Sequence, residues 1–199
     1  MRLTKRILSV GVGFSLACSV AVANESGAFV GVEAGVMNSK FKDSDGVYLK
    51  DNVPAFGVKM GYRFTPMFRA YGAYNYATKA KTSFSEGNDY INAEINVHKF
   101  LAGFDATPEI ATNARAVVGV YGGIASLNGD FSGNFNGFHD SGSDSENGFI
   151  YGGKLGALYE IGTGEIEGGF KAEQVTYRAD GDKFKQTNLG LYIGYNYKF

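Results

Sequence analysis

Charged side chains in this chain recur two residues apart, interleaved with glycine. One set runs Gly31, Glu33, Gly35, a second Gly57, Lys59, Gly61, Arg63, a third Gly152, Lys154, Gly156, Glu160, and a fourth Glu167, Gly169, Lys171, Glu173. Arg115 holds the same phase in its own segment. Carboxylates and cations of both signs on one face can pair with each other, and rings or clusters of charge also govern selectivity in pores. Other residues suggest hydrolysis. His139-Asp140-Ser141, with Glu146 nearby, supplies the residue types of a Ser–His nucleophile, which must be held rigidly to act. They fall in Gly137–Gly148, a Gly-, Ser-, Asn- and Asp-rich stretch that reads as a solvated loop. His98 has no second His or Cys near it, so no transition-metal site is expected and a place in the interior is. Asp43-Ser44-Asp45-Gly46 and the group Asp140, Asp144, Glu146 lack the spacing and closing Glu of a calcium loop. Neither a GxGxxG nor a GxxxxGK[ST] phosphate cradle occurs. No enzyme, cofactor or metal is expected.

The elements that carry these charges are strands. From the C-terminus, one face runs Phe199, Tyr197, Tyr195, Ile193, Leu191, Leu189, and the other Lys198, Asn196, Gly194, Tyr192, Gly190, Asn188. Such alternation is the period of a strand, here long enough to cross a bilayer when tilted. Eight segments of this kind are predicted at Ala28–Met37, Ala55–Phe64, Phe68–Ala77, Tyr90–Phe104, Ala114–Ala125, Phe149–Ile161, Glu165–Tyr177 and Phe184–Phe199. Polar connections (Asn38–Asn52, Thr78–Asp89, Leu127–Gly148, Arg178–Lys183) alternate with the tight turns Thr65-Pro66-Met67 and Gly162-Thr163-Gly164 and the intermediate Asp105–Asn113. An even strand count with this alternation predicts an all-β fold: a closed, antiparallel, eight-stranded, up-and-down transmembrane barrel, its first strand paired with its last.

A soluble barrel would put the apolar face inside. Glycine alternating with charges of both signs makes poor sense on a water-facing sheet, where β-branched polar residues serve better. It suits the interior of a narrow eight-stranded tube, where the charges must pair. Glu33, Lys59, Arg63, Arg115, Lys154, Glu160, Glu167, Lys171 and Glu173 are therefore expected in the lumen as one mixed-sign network. The apolar set (Val30, Val32, Phe56, Val58, Met60, Leu155, Phe170) is expected to face lipid. One segment conflicts with this scheme. In Tyr90–Phe104 the apolar phase Ile91, Ala93, Ile95, Val97 would carry Lys99 into lipid; a β-bulge at His98-Lys99, turning both residues inward, is predicted ahead of the alternative that Lys99 snorkels to the periplasmic interface.

The front of the chain has the form of a secretory leader. Met1–Arg6 is basic, Ile7–Val20 largely apolar, and Ala21-Val22-Ala23 gives a small-x-small cleavage site, so a signal peptide over 1–23 and a barrel domain over 24–199 are expected. The single cysteine, Cys18, lies inside that leader, which leaves no disulfide framework. Without Arg2, Lys5 and Arg6, 16 basic side chains remain against 20 acidic, a charge near −4 that argues against nucleic-acid binding.

Three motifs, Ala28-Phe-Val-Gly-Val-Glu-Ala-Gly-Val36, Gly57-Val-Lys-Met-Gly-Tyr-Arg-Phe64 before a Pro turn, and the terminal Gly-Tyr-Asn-Tyr-Lys-Phe199, resemble the small eight-stranded outer-membrane barrels: the OmpA barrel domain, OmpX and the opacity-type proteins. The resemblance implies a Gram-negative outer membrane, with lipid and lipopolysaccharide around the barrel. It assigns Tyr195, Tyr197 and Phe199 to the sorting signal read by the barrel assembly machinery. It also implies a structural, surface-exposed protein whose long loops meet a host-surface or envelope partner. The alternatives it leaves are a small porin-like channel and a lipid A-modifying enzyme.

Overall fold

The computed structural model describes residues 26–42, 48–78, 82–86, 89–135, 138–179 and 182–199, with side chains over 26–40, 52–77, 96–128, 145–177 and 185–199. The expected leader, residues 1–23, and the acidic pair Asp43/Asp45 lie outside the described residues. The elements are β1 (Gly27–Lys42), β2 (Tyr48–Arg63), β3 (Phe68–Thr78), β4 (Thr82–Glu86), β5 (Asp89–Ala106), β6 (Glu109–Ala111), β7 (Ala114–Phe135), β8 (Phe138–Ile161), β9 (Gly164–Ala179) and β10 (Asp182–Lys198).

Two of the ten are continuations. β4 extends the edge of β3, since β3 pairs with β5 from Ala106 to Asn96 and β4 takes over from Ala93 to Asp89. Short β6 pairs with the start of β7, beyond the last β5 partner. The remaining eight close into an antiparallel barrel in the order β1-β2-β3-β5-β7-β8-β9-β10, and β10 returns to β1 with Val32 opposite Tyr195. Closure leaves no sheet edge within the membrane.

At one end the connections are tight. The hydroxyl of Thr65 accepts from the amides of Met67 and Phe68, and Gly162 at φ 58° and Asn113 at φ 62° supply the left-handed positions of the other two turns. This turn end also holds the start of β1 and the end of β10. At the opposite, loop end the strands run past the expected segments. The β7–β8 ladder continues through the stretch read as the Leu127–Gly148 loop, from Leu127 opposite Glu146 to Phe135 opposite Phe138. Pairing needs only the backbone; clear of lipid, neither face need be apolar, so alternation fades while the ladder goes on.

The faces divide by phase. Val32, Met60, Val120, Leu155, Phe170 and Ile193 stand outward and exposed, as a lipid-facing band requires. Inside the barrel the chemistry changes along the axis. Charged side chains fill the lumen from the turn end to Lys99 and Glu173. Beyond them lies an apolar layer of Val53, Ala77, Val97, Ala125, Ile150 and Val175, with Tyr177 and Leu127 on its outer side; Leu101, Tyr121 and Ala73 of the same cluster stand at the level of the charges. No apolar layer inside the barrel is expected from the sequence, which assigns the apolar sets to lipid.

The β5 expectation is corrected for the same reason. β5 pairs with β3 and β7 in unbroken register through His98 and Lys99, so there is no bulge at that point. Val97, Lys99, Leu101 and Asp105 share the lumenal phase, while Phe100 and Phe104 face outward. Assigning every apolar set to lipid created a conflict that the molecule does not have: Val97 is apolar because the lumen is apolar at its height. His98 is correspondingly on the outer face, where its Nδ1 lies 2.7 Å from the Tyr74 hydroxyl and its ring lies beside Tyr76.

Candidate functional site

Most of the lumenal charges form one lattice around Glu167, with Lys99 and Glu173 as a separate pair on its loop-end side. β9 places the Glu167 carboxylate on the axis side of the wall, fully buried. Its Oε2 accepts from Lys59 Nζ at 3.0 Å, Arg69 Nη2 at 2.6 Å and Asn196 Nδ2 at 3.1 Å. Its Oε1 accepts from Lys154 Nζ and the Tyr192 hydroxyl, both at 3.0 Å. Five donors on one carboxylate, three of them cationic, offset the several kcal/mol that burying the charge costs.

From this hub the lattice extends both ways. Toward the turn end, Arg69 and Lys154 share Asp105 at 2.8 and 2.9 Å. Arg63 reaches Glu165 at 2.5 Å, and Arg115 reaches Glu160 at 3.0 Å while donating to the Pro66 carbonyl at 2.6 Å. Lys198 closes this end, 3.7 Å from both Glu160 and Glu165. Toward the loop end, Lys171 pairs with Glu33 and Lys99 with Glu173, which also accepts from Tyr121 and Asn188. Of the nine charged residues expected in the lumen, eight meet one another directly or through a shared partner, whereas Glu173 meets Lys99, Tyr121 and Asn188 and none of the other eight.

Sequence reasoning missed Arg69, Asp105 and Glu165, each buried among those nine. Phase alone would have found Arg69, two residues before Tyr71 in β3, and Glu165, two before Glu167. Asp105 falls in a segment that reads as a turn, and only the ladder of β5 shows it as a strand residue.

The interleaved glycines are slots for large neighbours. A Cβ on Gly103 would strike the Tyr71 ring, and one on Gly152 the Tyr121 ring. Tyr71 in turn lies under Lys154 Nζ, 4.6 Å from its ring centre.

Two spaces remain. A cavity of about 20 Å³, lined by Glu33, Asn75, Lys99, Lys171, Glu173 and Met37 among others, separates the lattice from the apolar layer. It has room for one water, and the buried Asn75 Oδ1 lacks a hydrogen-bond partner there. A pocket of about 200 Å³ at the turn-end mouth is lined by Phe29, Arg63, Glu160, Glu165, Lys198 and Phe199. Among the described residues no group of three or more His, Cys, Asp or Glu could hold a metal ion. His139, Asp140 and Ser141 lie on the β8 backbone rather than in a loop, and their side chains are outside the described residues.

Tyr195, Tyr197 and Phe199 point outward at the turn end. Phe199 is 74% exposed, its amide donates to the Ala28 carbonyl, and its ring meets Tyr197 edge-on.

Residues 10–199 match the family model of the outer membrane protein beta-barrel domain. The chain belongs to that family. Its barrel is an outer-membrane barrel and its place is the bacterial outer membrane; the turn end is the periplasmic end and the loop end the outer one, as in barrels of this kind. The attachment invasion locus protein Ail of Yersinia pestis, solved with the heparin analogue sucrose octasulfate, is 20% identical over 86% of this chain and 99% of its own, at a TM-score of 0.55. Neisserial surface protein A is 13% identical over 87% and 99%, at 0.58. The outer membrane protease OmpT of Escherichia coli is 9% identical over 91% and 99%, at 0.50. At these identities the likeness is one of fold. No curated protein matches the chain.

Proposed function

We propose that this outer membrane protein is a closed, non-enzymatic structural barrel whose outer extensions serve surface contact, such as adhesion. The observation that carries this reading is the filled lumen: a lattice of paired charges for most of its length, then an apolar layer. Eight strands enclose a space that side chains fill, whereas open porins use sixteen or more. Ail, the attachment invasion locus protein solved in complex with a heparin analogue, is an instance of the same fold used at a surface. Lumenal carboxylates and amines engaged with one another are poor candidates for general acid or base work on a substrate. Tyr195, Tyr197 and Phe199 serve assembly on this reading, so Phe199→Ser should lower the amount of inserted barrel without lowering export.

Planar-bilayer conductance of the refolded protein tests the central point. A closed barrel leaves the bilayer at its baseline in molar salt; discrete, voltage-independent channel steps from the wild type would establish a small porin in its place.

A further inference from the structure

We propose that the apolar layer at the outer end of the lumen, and not the ion-pair lattice beneath it, is the barrier to ions through this barrel. The proposal rests on the closed-barrel reading and says where closure resides.

The lattice is a hospitable place for an ion. Its charges have alternative partners within reach: Lys59 lies 3.0 Å from Glu167 and 4.0 Å from Glu33, and Lys154 lies 3.0 Å from Glu167 and 2.9 Å from Asp105. Loss of one pair leaves others to re-form around an entering ion or water. The lattice also keeps a water-sized space with an unpartnered acceptor, Asn75 Oδ1, at its outer limit.

The next layer offers nothing comparable. Six of the eight staves contribute apolar groups, among them Val53, Ala77, Val97, Ala125, Ile150 and Val175, and an ion there would shed its hydration without replacement. Hydrophobic constrictions close pores by excluding water.

The remaining two staves, joined by the Tyr177 hydroxyl of β9, carry neutral polar side chains at this height, and these are hydrogen-bonded to one another and to Glu173 below. Gln186 Nε2 donates to Ser39 Oγ at 2.8 Å and to Asn188 Oδ1 at 2.9 Å, the Tyr177 hydroxyl donates to Gln186 Oε1 at 3.3 Å, and Asn188 Nδ2 donates to Glu173 at 2.8 Å. This clasp runs along the seam where β10 closes on β1, completing the layer.

The test compares three variants of the full chain, refolded and placed in planar bilayers in potassium chloride. Val97→Ser/Ile150→Ser/Val175→Ser makes the layer smaller and polar. Val97→Ala/Ile150→Ala/Val175→Ala makes it smaller but keeps it dry. Lys154→Ala cuts the lattice and leaves the layer intact. The expected result is a rise of roughly tenfold in conductance for the serine variant, equivalent to lowering a barrier by about 1.4 kcal/mol, with the alanine and lattice variants at the wild-type baseline. Conduction by Lys154→Ala, silence of a folded serine variant, or equal conduction by the alanine and serine variants would each overturn the proposal. Should the serine variant fail the heat-mobility check for folding, the nearly isosteric Val97→Thr/Val175→Thr reads the same effect in smaller measure, and its silence overturns the proposal equally. A wild type that conducts defeats the closed-barrel reading itself, whereas a silent wild type with a conducting lattice variant defeats only this one.

Discussion

At the periplasmic end of the lumen Arg63, Arg69 and Arg115 lie among Asp105, Glu160 and Glu165, whereas at the outer end Val97, Ile150 and Val175 meet across the same tube. Both ends fill a cylinder of similar width, and both bury nearly everything they present to it. What differs is how each fails. In the lattice a deleted partner leaves a buried charge short of its counter-ion, so the loss depends on pairing. In the apolar layer a deleted group leaves a void, so the loss depends on volume. Cohesion inside this barrel thus has two sources, and variants that exchange one for the other separate them.

The largest effect is expected at the hub. Glu167→Ala leaves Lys59, Arg69 and Lys154 short of a shared counter-ion and should cost about 3–5 kcal/mol of unfolding free energy, measured by urea titration in lipid bilayers. Glu167→Gln keeps the shape and removes the charge; a loss close to that of alanine would show that charge, not packing, holds the centre. In the apolar layer Ile150→Ala should cost about 2–5 kcal/mol through the cavity it opens, and Ile150→Val only about 0.5–1.5 kcal/mol. If Glu167→Gln were neutral while Ile150→Ala were severe, the lattice would be filler and the apolar layer the true core.

The same contrast explains what was legible in the sequence. Eight strands, closure, the outward apolar band and the inward charges could all be read, because within the membrane each face has a single solvent: lipid outside, paired charge inside. Leu189 to Phe199 is the clearest case. Legibility ends where that rule stops. At the outer end the lumen is apolar, so Val97 and Phe100 are both apolar on opposite faces of β5, and no alternation marks which is which. Histidine is polar and so reads as lumenal, yet His98 sits among Tyr74 and Tyr76 on the outer surface, where aromatic and polar tips meet the membrane interface. Beyond the membrane, the ladder from Leu127 to Phe135 has loop-like residues because pairing there asks nothing of the side chains.

A smaller effect should come from the glycines, which lie on both sides of the wall. Lumenal Gly103 abuts the Tyr71 ring, itself pinned beneath Lys154, so Gly103→Ala should cost about 1–3 kcal/mol by overpacking. Gly122, on the lipid face, has only ordinary contacts around the position of a Cβ, and Gly122→Ala should be neutral or stabilise by about 0.4–1 kcal/mol through the unfolded chain. Equal losses at the two positions would mean that glycine serves backbone curvature throughout and not side-chain space in the lumen.

The smallest effect tests whether burial or charge alone sets the strength of the lattice. Lys198 and Lys154 carry the same group and each touches two carboxylates. Lys154 is buried, at 2.9 and 3.0 Å from its partners, whereas the Lys198 side chain is 31% exposed and 3.7 Å from its own. Water and salt at the periplasmic mouth can solvate Glu160 when Lys198 is removed, and Arg63 and Arg115 still attend that carboxylate. Lys198→Ala should therefore cost less than about 1 kcal/mol, and that cost should fade as ionic strength rises toward molar salt. Lys154→Ala leaves both Glu167 and Asp105 with one cation fewer deep in the lumen, where bulk salt screens a buried carboxylate much less than at the mouth, so its larger cost should persist at the same salt. Equal losses for the two lysines, or a Lys154 loss that salt erases, would mean that the interior of the lattice is as open to solvent as its mouth.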